Sequence, residues 1–218
     1  MTSYSDKLLE AFRHAEKINA TLWHCGIDPQ YLSVDELRDH IAEAYGIEVN
    51  IYAVDLEVDH VYGLIQRYDD GKRANIYILK NIGPRWKRLV GTKELCHVVI
   101  DVPDEDFVAD GWDTLQRLIA GSMLDKTAPE NLALRSEHLA EIVAWELLYP
   151  HENRWADVRA IEKGELTLAE LSKRLKLPEE VVGFIISPIW MTTCDRLWAV
   201  IQKQNDIRAA AKVAVGTR

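Results

Sequence analysis

Cysteine is scarce in this chain and basic charge is in deficit. The 218 residues hold three cysteines, Cys25, Cys96 and Cys194, far apart and with no C-x-x-C pair. That spacing excludes a disulfide framework and a cysteine-built structural zinc site, and a reducing, cytoplasmic compartment is the expectation. Lys and Arg number 26 against 35 Asp and Glu, a formal net charge of -9. No overall positive field would therefore draw the chain to nucleic acid or to an anionic membrane. No apolar window reaches the length of a membrane span, and residues 1–17 carry charge throughout instead of a basic patch followed by an apolar run. A soluble, unsecreted chain is expected. Internal repeats and low-complexity tracts are also missing from the sequence. What is present is a 48% apolar composition, enough to bury a core in one domain with an appendage or in two small ones.

Apolar residues recur at three- and four-residue intervals over 5–24 (Leu8, Phe12, Ala15, Ile18, Leu22, Trp23), which predicts an amphipathic helix ending near Gly26 and the Asp28-Pro29 turn. Ser33-Val34-Asp35-Glu36 has the form of a capping box, so a second helix is expected through Leu37, Ile41 and Ala44 to Gly46. Ile47 to Val54 alternates and is rich in β-branched residues. Tyr62 to Tyr68, the turn Asp69-Asp70-Gly71-Lys72, and Ala74 to Leu79 then read as a hairpin, giving a sheet of about three strands. A helix is predicted from about Pro84 to Val99, followed by an acidic loop (Asp101, Asp104, Glu105, Asp106) and a helical stretch around Trp112 to Leu124. Leu132, Leu139, Val143 and Leu147 form the stripe of a further helix that Pro150 brings to an end. Thr167-Leu168-Ala169-Glu170 is a second capping box, and Pro178 suits the first turn of the next short helix. This pair has a helix-turn-helix outline. Two packed helices are the favoured reading of it, because Pro178 to Phe184 holds no Lys or Arg for phosphates. Trp190, Cys194, Leu197, Trp198 and Ile201 line one face of a last helix before a small-residue tail.

The chemistry centres on Lys93-Glu94-Leu95-Cys96-His97. A His-Glu-x-x-His helix presents two imidazoles on one face, four residues apart, to hold zinc, with the Glu as general base for the bound water. Here the first imidazole is replaced by an amine, which when protonated has three donors and no lone pair. Cys96 points about 100 degrees away from His97 on a helix, so the two make neither a ligand pair nor a nucleophile and base. A small buried apolar role is expected for Cys96, and surface or capping roles for His138 and His151.

The order strand, loop and Lys93-to-His97 helix, followed by Ser136-Glu137-His138-Leu139-Ala140-Glu141 and the ending Leu147-Leu148-Tyr149-Pro150, resembles the ImmA/IrrE family of metallopeptidase-like proteins. The likeness covers roughly residues 31–187. It implies an α+β fold: a zincin-like domain over 31–150, with a small three-stranded or larger mixed sheet packed on the active-site helix. An N-terminal helix over 1–30 would precede it and a helical C-terminal part over 151–218 would follow. By the same resemblance Glu94 is the catalytic base, His97 and Glu137 are zinc ligands if metal is retained, and Glu141 supports the ligands from one turn further along. The sequence departs from the family pattern at Lys93, in the first ligand position, and at Cys96, where the family has Gly. Lys93 lies on the same helix face as His97, so its ammonium is expected in the place of the zinc, paired with the carboxylates.

These readings imply a peptidase-deficient zincin-fold regulatory protein without a cofactor, binding a protein partner such as a transcriptional repressor, in the setting of prophages and other mobile elements. The competing expectation is an active zinc metallo-endopeptidase with a remodelled metal site. A helix-turn-helix DNA-binding protein is a third. Trp190 and Trp198 suggest a partner or homodimer contact on the last helix, with core packing as the plainer explanation.

Overall fold

The computed structural model describes residues 4–27, 31–55, 62–100 and 132–216. The Asp28-Pro29 turn, the acidic loop and the Trp112–Leu124 stretch lie outside them. Among the described residues there are eight helices and one three-stranded sheet, an α+β arrangement that is mostly helical.

Helix α1 (Tyr4–His24) buries Phe12, Ala15, Ile18 and Leu22, the three- and four-residue stripe that makes it amphipathic. Trp23, assigned to that stripe from spacing alone, instead faces outward at 49% exposure. It stands about 100 degrees around the helix from the buried Leu22, beyond the edge of the apolar stripe. Helix α2 (Val34–Tyr45) starts where Ser33 and Glu36 satisfy each other's backbone N–H groups. It ends at Gly46, whose φ of 63° needs no Cβ and lets its N–H return to the Ala42 carbonyl.

Strands β1 (Glu48–Val54), β2 (Gly63–Tyr68) and β3 (Arg73–Leu79) form a mixed sheet in the order β1-β3-β2, with β3 parallel to β1 and antiparallel to β2. The β2–β3 turn places Asp69, Asp70 and Gly71 in the left-handed region, where Asp and Gly are the tolerated residues. Alternation divides the central strand: Ala74, Ile76 and Ile78 are buried, while Asn75 and Tyr77 take the other face. There Tyr77 stacks on Tyr52 with ring centroids 5.6 Å apart.

Helix α3 (Pro84–Ile100) begins with proline, whose missing N–H costs nothing in a first turn. It is buried on nearly all sides, between the sheet, α2 and helix α4 (Leu132–Leu148). Close approach requires Gly91. A Cβ there would lie 2.9 Å from Val34 Cγ1 and 3.0 Å from Ile78 Cδ1. Helix α4 buries Leu139, Val143 and Leu147 of its predicted stripe, and the side chain of Leu132 lies outside the described residues.

Pro150 ends α4 and at once caps α5 (His151–Glu162), a helix that the sequence pattern did not reveal. Helices α6 (Leu168–Leu175) and α7 (Glu179–Ile185) are the capped pair. Helix α8 (Pro188–Gly216) carries on through the small-residue stretch expected to be a tail. Two apolar clusters result, one joining the sheet to α1–α4 and one joining α1, α3 and α4 to the C-terminal helices. The central helices thus serve both. No helix among the described residues is long and apolar enough to cross a membrane.

Candidate functional site

Helix α3 presents Lys93, Glu94 and His97, and α4 presents Glu137 and Glu141 toward them. Lys93 Nζ lies 2.6 Å from Glu137 Oε2 and 3.1 Å from Glu94 Oε1. The other Glu137 oxygen, Oε1, is 3.2 Å from His97 Nε2. One carboxylate therefore bridges an ammonium and an imidazole. Glu94 is 2% exposed, Lys93 24% and Glu137 38%, so the cluster runs from a closed floor to a half-open mouth.

Strand β2 covers that floor. A Cβ on Gly63 would meet Val90 Cγ1 at 2.5 Å, Glu94 Oε1 at 2.8 Å and Glu94 Cγ at 2.9 Å, so only glycine lets the strand lie this close. Four residues on, Arg67 donates to the carbonyl of His97. Tyr62 stacks on Trp86 at 5.8 Å, extending the strand-to-helix contact toward the start of α3. Sequence reasoning missed Gly63 and Arg67. A glycine inside a strand pattern is the signal that marks Gly63.

Electrostatics follow from this geometry. Burial pulls the Lys93 ammonium toward losing its proton, but Glu94 and Glu137 outweigh it and hold Lys93 above the ordinary lysine range. Burial likewise opposes charge on Glu137, yet the His97 and Lys93 contacts keep its carboxyl below the usual range. Glu141 goes the other way: burial raises it, and the attraction of Lys93 offsets only part of that.

The remaining candidates sit apart from this cluster. Cys96 is buried in the first apolar cluster, and burial pushes its thiol upward. His151 pairs with Asp195 Oδ1 at 2.9 Å, which also accepts from the Trp155 indole. The side chain of His138 lies outside the described residues. Trp190 is buried against Trp145 and Phe184, and Trp198 packs edge-on against Phe12.

Zinc bound in a zincin-like site needs three protein ligands with lone pairs at about 2.0–2.2 Å and a fourth position for water. The side chains present among the described residues do not fit it. His97 and Glu137 offer two donors, already in contact with each other, and the third position holds a cation. Among the described residues no three His, Cys, Asp or Glu side chains are arranged to hold a metal ion. The cluster can bind and orient polar groups at its mouth, where Lys93 has a third donor beyond the two turned to carboxylates. In comparisons with known proteins, the chain matches no family model and no curated sequence.

Proposed function

We propose that this chain is a zincin-like regulatory protein that does not cleave peptides and instead holds a protein partner, such as a transcriptional repressor, at the cleft between β2 and α4. The observation that carries the reading is the Lys93 ammonium on both Glu137 and Glu94. Glu94, the general base by the family resemblance, is 2% exposed, contacts that ammonium and lies under Gly63, which supports a site that does not activate water. Among the described residues there is no ligand set for a Lewis acid that would activate such a water.

Support for a binding role comes from the half-open mouth of the cluster and from β2, an edge strand of the sheet that lies beside it. A homodimer through α8 belongs to the same proposal, with Ile189 at 83% exposure, Val200 and Ile207 as its apolar contacts. A cytoplasmic setting on a mobile element completes it.

The test is to mix the purified chain with helix-turn-helix repressors encoded in the same genome and follow both by native mass spectrometry. A stoichiometric complex with every chain intact is the expected result. Repressor fragments would establish the competing active peptidase, and the lack of any complex would remove the partner from the account.

A further inference from the structure

We infer that the cluster of Lys93, Glu94, His97 and Glu137 is a cation site with a covalently attached occupant, closed to divalent metal in the folded chain and opened to it by changing Lys93 alone. The inference rests on the zincin-like reading of this cluster and concerns its cation, not its partner.

Three observations carry it. First, the amine is held by two groups from different helices, Glu94 on α3 and Glu137 on α4, at 3.1 and 2.6 Å. A tethered ammonium is present at an effective concentration far above that of any free metal ion. Second, the amine cannot simply swing out. Glu94 is 2% exposed and would be left as a buried, unpaired carboxylate, while Gly63 gives it no space in which to turn toward another partner. Third, the rest of a cation site is in place: His97 Nε2 and Glu137 Oε1 approach to 3.2 Å beside the ammonium, and Lys93 and His97 stand one helical turn apart on one face of α3. A side chain with a lone pair at position 93 would complete a three-ligand set in which no group need cross the fold.

The test uses the full chain, stripped with chelator, incubated with zinc and desalted, with bound zinc measured by elemental analysis and Tm recorded with and without the metal. Lys93→His and Lys93→Cys are carried beside the wild type. The expected result is wild-type protein that retains no zinc and shows no change in Tm. At least one variant should retain stoichiometric zinc and either gain several degrees in Tm or fold only when zinc is present. Stoichiometric zinc on the wild type, lost in His97→Ala, would overturn the inference. So would two folded variants at position 93 that both leave zinc behind. Zinc on a wild type that still holds its repressor intact would sink the inference and spare the proposed function. A metal-free wild type that cuts the repressor would do the reverse.

Discussion

Lys93 Nζ lies 2.6 Å from Glu137 Oε2, joining α3 to α4 across 44 residues of chain. Removing the amine leaves Glu94 buried and Glu137 half-open, both without their cation. Lys93→Ala is expected to destabilise the fold by about 2 kcal/mol, below the ~3–5 kcal/mol of a fully enclosed pair because solvent screens Glu137. Urea unfolding measures it. An unchanged midpoint and slope would mean that the amine contributes nothing to holding the two helices together.

A second ion pair, far more enclosed, locks the other end of α4. Arg154 is fully buried, donates to Glu146 Oε1 at 2.6 Å and to the Tyr149 carbonyl through both Nε and Nη2. Glu146 in turn has its carbonyl held by Asn19 of α1. Arg154→Met should cost about 3–5 kcal/mol, because Glu146 would remain as an uncompensated charge in the core. Guanidinium denaturation of that variant beside Lys93→Ala should rank it as the more damaging. The opposite order would contradict the burial assigned to the two pairs.

Gly63→Ala tests the roof over Glu94. With a Cβ placed 2.5 Å from Val90 Cγ1 and 2.8 Å from Glu94 Oε1, strand β2 must move off α3. A loss of about 1–3 kcal/mol is expected from the overpacking, with amide exchange quickening along 63–68. Unaltered exchange in that strand would show that the contact is looser than described.

Much of this architecture was legible in the sequence because it is local. Ser33 with Glu36 and Thr167 with Glu170 announce two helix starts within four residues, and both capping boxes form as read. Pro84, the Asp69-to-Lys72 turn and the alternation of Ala74 to Leu79 likewise carry their own instructions. Helix α5 escaped notice because Pro150 looks like a stop and serves as a start as well. Trp23 was misplaced because spacing alone does not tell the edge of an apolar stripe from its centre, and Leu22 takes the centre. The meeting of Lys93 with Glu137 followed from a motif comparison, whereas Arg154 with Glu146, Arg67 with the His97 carbonyl, and Gly63 against Glu94 join distant segments through contacts that leave no spacing pattern behind.

Thiol chemistry checks the burial of the cysteines. Cys25 is exposed; Cys96 and Cys194 are buried, and burial pushes the Cys194 thiol up to about 12. At pH 8 both buried thiols stay protonated and shielded, so iodoacetamide should modify the native chain once, at Cys25, and the denatured chain at all three. Peptide mapping reads the result. Rapid native labelling at Cys96 would mean that α3 does not sit in the core.

The central proposal is that the Lys93 ammonium, held by Glu94 and Glu137 beside His97, takes the place of a metal ion, and the most direct measurement is a crystal structure from zinc-soaked protein with data collected on both sides of the zinc absorption edge. The account predicts continuous side-chain density from Lys93 to contact with Glu94 and Glu137, and no anomalous peak beside His97. A tetrahedral anomalous scatterer bound by His97 and Glu137, with Lys93 turned to solvent, would contradict it.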